Sequence, residues 1–179
     1  MFKKQTKKSQ PWDRSFKVWR STDFKCLESI ANAQDDAIKA IVLSDEGFVY
    51  TGSVDKKIKV CRYHRRDKKH HLTDKLEHHK SAVNSLAYDD HMSVLISSAC
   101  SGAMIARERN SGGRNMLVVG ALLGHKKAIL CMGIIGELEC NGSADKMVRL
   151  WRSSDDGEEE GRWYTVYNGS LDSAHDSSS

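Results

Sequence analysis

One short pattern recurs along the chain and constrains its fold more than any other feature. A small or acidic residue stands in a turn, an alternating apolar and polar run follows, and the run ends at a fixed position. Residues 142–151 form the clearest copy, with Asp145 in the turn. The corresponding end positions lie about 44 residues apart, at Trp19, Cys61, Arg107 and Trp151. A period of this length indicates an array of similar units.

Each unit reads as short strands separated by turn residues. In the first complete unit, apolar runs at 37–43 and 48–51 flank the turn residues 44–47, which is typical of a hairpin. Residues 15–29 add a pair of strands before this unit. No segment shows a convincing helical period. The sequence therefore predicts an all-β chain, with four-stranded units at about 37–76, 82–121 and 128–167.

A unit of this kind, with Gly124-His125 before its first strand and Asp145 and Trp151 around its third, resembles the WD40 repeat family. The resemblance covers roughly residues 11–152. The stretches 19–29 and 118–125 resemble more specifically the plant WD40 proteins of the JINGUBANG type. What the resemblance implies is a β-propeller, in which four-stranded blades surround a central channel.

The resemblance also implies a buried polar chain in each blade, which ties the loop before the first strand to the inner strands. Carried over to the third unit, its members are His125, Ser143, Asp145 and Trp151. The other units retain only Asp13, Trp19, Ser53, Asp55 and His79. We therefore expect one whole network, in the third unit. Arg107 replaces the aromatic residue of the second unit. Its stem could cover the blade while its guanidinium reaches solvent, but lower stability there is the outcome we expect.

The number of units falls short of a closed ring. Residues 11–167 provide about three and a half blades, whereas the family resemblance implies about seven in a ring. We expect an incomplete or open ring, because the end blades of a half ring have uncovered faces. Such a chain is either a truncated or partial member of its family, or half of a ring that self-associates through its open blade faces.

The ends and the cysteines indicate where such a chain works. Residues 1–10 are basic and residues 168–179 are polar, and both are predicted to be disordered tails. The five cysteines form no C-x-x-C pair, which favours reduced thiols in a cytoplasmic or nuclear protein. The longest apolar runs are only about eight residues long, far shorter than a membrane span. No contact with a membrane is expected.

Three groups of residues suggest chemistry, and each has a simpler explanation. His125, Ser143 and Asp145 include the residue types of a hydrolase triad, but no Gly-x-Ser-x-Gly turn presents the serine. Residues 120–127 lack the spacing and the lysine of a phosphate-binding loop. The cysteine and histidines within 61–79 lack metal-ligand spacing. We expect no catalytic, cofactor-binding or metal-binding residues, and no enzyme activity.

A basic loop is the remaining candidate for binding, and its members are Arg62, Arg65, Arg66, Lys68 and Lys69. The predicted function is a non-enzymatic scaffold or adaptor for protein–protein interaction, whose partners the sequence does not identify. The alternative is a basic module that contacts nucleic acid through residues 62–69 by charge alone. A third interpretation is a truncated product without independent function.

Overall fold

The computed structural model describes residues 14–110, 115–136, 138–153 and 163–170, and every regular element in these ranges is a β-strand. A pair of strands comes first, β1 Phe16–Trp19 and β2 Cys26–Ile30. Three four-stranded antiparallel sheets follow in chain order. This arrangement confirms the predicted all-β fold of three blades preceded by half a blade.

The three sheets are named blades 1, 2 and 3 after their order in the chain. Blade 1 consists of β3 Ile38–Leu43, β4 Phe48–Ser53, β5 Ile58–His64 and β6 Lys69–Leu76. Blade 2 consists of β7 Val83–Asp89, β8 Val94–Ala99, β9 Met104–Arg109 and β10 Met116–Leu122. Blade 3 consists of β11 Ile129–Ile135, β12 Leu138–Ser143, β13 Met147–Ser153 and β14 Trp163–Ser170.

The same irregularity occurs near the start of every blade. The register between the first and second strands shifts once in each sheet, at Ile38/Ala40, Val83/Ser85 and Ile129/Cys131. A bulge bends a strand and increases its twist. Equivalent bulges at equivalent positions show that the sequence repeat is also a repeat of backbone geometry.

Apolar clusters lie between successive sheets, because alternate residues of each strand point to opposite faces. Between β1–β2 and blade 1 lie Phe16, Val18, Ala33, Ile38, Val49 and Cys61. Between blades 1 and 2 lie Ala40, Phe48, Tyr50, Ile58, Val60, Leu76, Val83, Leu86 and Leu95. Between blades 2 and 3 lie Val94, Ile96, Met104, Ala106, Leu122, Ile129 and Trp151. Each large buried side chain contributes about 1.5–3 kcal/mol.

Blades 1 and 2 are packed too closely for a side chain at Gly52. A Cβ atom on Gly52 would lie 2.6 Å from Val83 Cγ1, in the first strand of the next blade. Val83 itself is fully buried. The glycine therefore sets the distance between the two sheets.

The last strand corrects one predicted boundary. β14 continues to Ser170, because Asn168, Gly169 and Ser170 pair with residues of β13. The predicted tail at 168–179 therefore begins too early by these residues, and the rest of it lies outside the described ranges. The basic segment 1–10 also lies outside them.

The sheets form an open ring. β7 packs on blade 1 and β11 packs on β7, so each new blade adds to the previous one in chain order. No sheet formed by the described residues lies on the outer face of blade 3. Within the described residues, no helix is long and apolar enough to cross a membrane.

Candidate functional site

A chain of hydrogen-bonded side chains runs through blade 3, from a surface turn to a buried carboxyl group. His125 Nδ1 lies 2.9 Å from Asp145 Oδ2, and His125 Nε2 lies 2.5 Å from Asn141 Oδ1. Asn141 Nδ2 donates to Glu139 Oε2 over 2.9 Å. His125, Asn141 and Glu139 are all buried. Two predicted members, His125 and Asp145, are therefore in direct contact.

Ser143 joins the entry loop to this turn through backbone groups and does not contact His125. Its hydroxyl donates to the carbonyl oxygens of Ala128 and Lys127, over 3.0 and 3.2 Å, and accepts from the backbone N–H of Asp145. Asn141, two residues earlier, binds His125 instead. Ser143 ends its strand and fixes the turn, whereas the side chain that meets the histidine must come from inside the strand.

Trp151 differs from the prediction, because it takes no part in this chain of hydrogen bonds. It is buried against blade 2, with 4% of its surface exposed. Its indole N–H has no hydrogen-bond partner among the described residues. Trp151 therefore stabilises the interface between blades by apolar packing, and the polar chain of blade 3 passes from Asn141 to Glu139 without it. The expectation that all four predicted residues form one network is wrong.

Glu139 occupies a position that is apolar in the other blades. It lies opposite Trp151 on the neighbouring strand, and the equivalent residues of blades 1 and 2 are Val49 and Leu95. Burial raises the pKa of Glu139 to about 7, against the opposing effect of the Asn141 hydrogen bond. Its second carboxyl oxygen has no hydrogen-bond partner among the described residues. The carboxyl group is therefore a buried acid that favours its neutral form.

Asp145 organises the turn between β12 and β13. Besides His125, it accepts hydrogen bonds from the backbone N–H groups of Lys126 and Met147. Burial acts to raise its pKa, but these three donors outweigh burial and lower the pKa to about 2. The negative charge of Asp145 thus fastens the loop before the blade to the turn inside it.

Blade 2 contains a polar chain that the sequence reasoning missed. Ser97 Oγ lies 2.8 Å from His79 Nε2 and accepts a hydrogen bond from Arg107 Nη1, also over 2.8 Å. Ser97 donates in turn to the carbonyl oxygen of Ile105. Arg107 is only 1% exposed. Its guanidinium therefore does not reach solvent, contrary to the arrangement considered from the sequence. It lies inside the blade interface and binds the serine there.

Burial changes the protonation of this chain. It lowers the pKa of Arg107 to about 10. Burial, and then the positive charge of Arg107, lower the pKa of His79 to about 4. His79 is therefore neutral at physiological pH, and its Nε2–H donates to Ser97 when the serine proton is directed to Ile105.

Blade 1 uses a glutamine in place of the histidine. Gln34 Nε2 donates to both the hydroxyl and the carbonyl oxygen of Thr51, each over 2.7 Å. Cys61, at the end position of this blade, is buried, and burial raises its pKa to about 11. Ser53 accepts from the backbone N–H of Asp55, as Ser143 does from Asp145. The residues that meet the loop side chain are therefore Thr51, Ser97 and Asn141.

One hydrogen bond recurs at the same end of every blade. The entry loop is joined to the turn after the second strand by Asp35 N to Asp55 Oδ2, by Ser101 N to Ser81 Oγ and by Lys126 N to Asp145 Oδ2, over 2.9–3.0 Å. Exposed lysines accompany these bonds, namely Lys56, Lys80, Lys126 and Lys146. We call this end of the blades the rim.

The basic loop lies at the opposite end of blade 1. The cationic residues predicted there are all exposed: Arg62, Arg65, Arg66, Lys68 and Lys69. His71 lies 2.5 Å from Asp67, the acidic residue within the loop. The guanidinium of Arg62 covers the ring of Phe48 at 5.0 Å, which holds the base of the loop against the blade.

The remaining predicted residues lie at the start of the chain. Trp19 ends β1 and is half-buried, on the side of β1 that faces away from blade 1. Asp13 lies outside the described residues. Within the described ranges, no cluster of three or more His, Cys, Asp or Glu side chains is arranged to hold a metal ion.

Comparison with known proteins agrees with this geometry. The family model described as "WD domain, G-beta repeat" matches residues 70–105, from the last strand of blade 1 into the third strand of blade 2. The sequence unit is thus offset by one strand from the structural blade. Among curated proteins, the chain is similar to "Probable cytosolic iron-sulfur protein assembly protein 1" of Kluyveromyces lactis, at 28% identity over 142 residues.

Solved structures share the fold at low identity. The chain is similar to Saccharomyces cerevisiae Sqt1, with a TM-score of 0.64, 16% identity and 74% of this chain covered. A chain of the mitotic checkpoint complex gives a TM-score of 0.69 at 19% identity and 88% coverage. The computationally designed Ika8 protein gives 0.67 at 21% identity and 92% coverage.

The chain spans less than half the length of each of these proteins. The alignment with the Kluyveromyces relative spans 75% of this chain and 42% of that protein. It spans 34% of Sqt1, 44% of the mitotic checkpoint chain and 48% of Ika8. The similarity therefore extends over part of each protein, and the solved structures inform the fold alone.

Proposed function

We propose that this chain, in which the WD-domain family model matches residues 70–105, is a scaffold that binds other proteins through the rim of its blades. The observation that carries the proposal is the hydrogen bond that joins the entry loop to the inner turn in each blade. These bonds hold side chains from successive loops at fixed positions. A surface that is already ordered loses less conformational entropy when a partner binds.

The charge of the rim suggests the chemistry of the partner. Lys80, Lys126 and Lys146 are exposed there, whereas the carboxylate of Asp145 is occupied by His125 and two backbone N–H groups. The rim of blades 2 and 3 is therefore basic. Electrostatic complementarity accelerates association and selects partners of opposite charge. An acidic protein surface is the partner that fits.

The residues that resemble a catalytic triad support a binding role. His125 is fixed between Asp145 and Asn141, and Ser143 donates to backbone carbonyl oxygens. A catalytic serine needs an exposed hydroxyl beside a general base. Here the serine and the histidine bind different partners, which accords with a protein that works without catalysis.

The Kluyveromyces relative supports the same class of role. Its name places it in the assembly of cytosolic iron–sulfur proteins. We infer a cytosolic location for this chain, with nuclear entry through the basic loop as the finer alternative. A closer kinship to the plant JINGUBANG type is a further proposal that rests on the stretches 19–29 and 118–125.

Affinity capture with matched variants tests the scaffold proposal. A rim variant carries Lys80→Glu, Lys126→Glu and Lys146→Glu. A control variant carries Arg65→Glu, Arg66→Glu and Lys68→Glu, which makes the same change of charge at the other end of the blades. Proteins that copurify with each chain at physiological salt are quantified by mass spectrometry, after circular dichroism confirms that both variants are folded.

The scaffold proposal expects the rim variant to lose acidic partners that the wild type and the control retain. Equal capture by all three chains would overturn the role of the rim. Loss of the same proteins from both variants would indicate attraction by net charge alone, and would also count against a defined rim site.

The basic loop supports a second candidate function. Three of its exposed cations, Arg65, Arg66 and Lys68, lie on the turn between β5 and β6, and Asp67 is paired to His71. Arg62 and Lys69 lie in the strands on either side of the turn. Binding that neutralises phosphates releases counterions, so affinity for nucleic acid falls steeply as salt rises. Fluorescence anisotropy tests binding to nucleic acid. A labelled single-stranded RNA and a labelled DNA duplex are each titrated at about 50 mM and about 200 mM salt. Salt-sensitive binding that Arg65→Glu and Arg66→Glu abolish would favour nucleic acid over a protein partner.

A further inference from the structure

The outer face of blade 3 repeats a surface that the other blades bury. On the facing side of blade 2, Trp151 packs against Val94, Ile96, Met104, Ala106 and Leu122. The strand pairing gives the equivalent positions of blade 3 as Leu138, Cys140, Val148, Leu150 and Gly169. Tyr167 lies over Gly169 and is 49% exposed. The surface that receives a tryptophan between blades is therefore present on blade 3, where no sheet of the described residues covers it.

The other end of the chain presents a tryptophan in the matching position. On β1, Phe16 and Val18 are buried against blade 1, as Val148 and Leu150 would be against a fourth blade. Trp19 follows Val18 as Trp151 follows Leu150, and so points to the opposite side. Leu27 of β2 lies on that side too and is 49% exposed. Before β1 the structure describes only Arg14 and Ser15, which belong to no strand.

We propose that two copies of this chain associate head to tail, each placing Trp19 and Leu27 on the Leu138–Leu150 face of blade 3 in the other. Two such junctions are related by a two-fold axis, so the assembly closes as a dimer. Each copy contributes three blades and one half blade, so the ring has eight blade positions, which is within the range of closed propellers. The interface continues the packing already seen between blades 2 and 3.

The half blade limits how much of the face is covered. β1 and β2 hold the positions of the third and fourth strands of a blade, the strands farthest from the channel. The inner part of the blade 3 face stays open. A cavity of about 360 Å³ begins there, lined by Leu130, Cys131 and Gly142 of the inner strands and by Val148 and Ser170 of the outer strands. The dimer therefore depends on the outer part of the face and not on Leu130, although Leu130 is 62% exposed.

Sedimentation equilibrium of the full chain and three variants tests the proposal. Trp19→Glu and Leu150→Glu each alter one side of the proposed junction, and Leu130→Glu is the matched control on the uncovered inner part. A central aromatic residue commonly dominates an interface, so Trp19→Glu and Leu150→Glu are expected to raise the dimer Kd by about thirtyfold or more. Leu130→Glu is expected to change it by less than about threefold.

A mixing experiment separates this arrangement from other dimers. Trp19→Glu chains keep an intact blade 3 face, and Leu150→Glu chains keep an intact Trp19. Their mixture forms a heterodimer with one whole junction, so mass is regained on mixing. A dimer made by two blade 3 faces in contact with each other would not respond in this way.

Each outcome bears on the inference. A monomeric wild-type chain at about 50 μM, a concentration well above the micromolar Kd of a modest interface, would overturn it. So would an open series of oligomers, or a dimer that Leu130→Glu weakens as strongly as Leu150→Glu does. Leu27→Glu, at a half-exposed position, repeats the test if Trp19→Glu fails to fold by circular dichroism. The outcome is independent of the partner that binds the rim.

Discussion

Arg107 donates a hydrogen bond to Ser97 from inside the interface between blades 1 and 2, over 2.8 Å. The arginine stands where blade 3 has Trp151, and Ser97 is the acceptor that holds its buried guanidinium. Arg107, which the sequence suggested would destabilise the blade, therefore has a hydrogen-bond partner. The second guanidinium nitrogen, Nη2, has none among the described residues. Blade 2 therefore depends on one serine to satisfy a buried cation.

Ser97→Ala is predicted to destabilise the chain by about 2–3 kcal/mol, because it removes the acceptor of a buried charged group. Ser98→Ala is the matched control. Ser98 is the next residue, is equally buried, and its hydroxyl has no hydrogen-bond partner among the described residues. Removing that hydroxyl is expected to cost less than about 0.5 kcal/mol. Urea unfolding measures both changes, and equal losses would contradict the role given to Ser97.

Glu139 is predicted to make blade 3 less stable as pH rises. Burial raises the pKa of this carboxyl group from 4.5 to about 7, so the folded chain holds a proton that the unfolded chain has already lost. The contribution is full below pH 4.5 and disappears as pH rises through about 7. It amounts to roughly 3 kcal/mol between these limits.

Glu139→Gln keeps an amide oxygen for Asn141 and removes the titration. We expect this variant to be more stable than wild type at pH 8, and to lose that advantage at pH 5, in urea unfolding at each pH. Glu108→Gln, at an exposed position of blade 2, is the control. A wild-type advantage at pH 8 would show that Glu139 is stabilised in its charged form.

The sequence predicted the period, the strands and the all-β class because these follow from alternation and turn residues. It predicted the polar chains poorly. Ser143 and Asn141 lie on the same face of one strand, so alternation alone does not decide which of them meets His125. The signal that was available is the polar residue inside each second strand, at Thr51, Ser97 and Asn141.

Arg107 and Glu139 were beyond such reasoning for a different reason. Charged residues are rarely buried unless they are paired. Sequence alone therefore places them at the surface. Both are buried here because the blade faces leave no exposed site at these positions in the strands.

Glu28 and His70 are predicted to hold the half blade on blade 1. Glu28 accepts from the backbone N–H of His70 over 3.0 Å and lies 2.6 Å from its ring Nδ1. Glu28→Ala removes both contacts, so the amides of β1 and β2 are expected to exchange with deuterium at least about tenfold faster, while those of β8 and β12 keep their rates. Asp23→Ala, which breaks the exposed pair of Asp23 with Arg20, is the control. Equally faster amide exchange in all blades would contradict a contact that stabilises only the half blade.

Gly52→Ala is predicted to disturb the junction of blades 1 and 2, because the added methyl group would lie 2.6 Å from Val83 Cγ1. Overpacking of this kind costs about 1–3 kcal/mol in unfolding free energy. Gly133→Ala is the matched control, since a Cβ there meets no heavy atom within 4 Å. Shortening the opposing side chain in Gly52→Ala/Val83→Ala should relieve the overlap, so the double variant is expected to lose less than the sum of the two single changes. Additive losses in urea unfolding would mean that the two residues are not in contact.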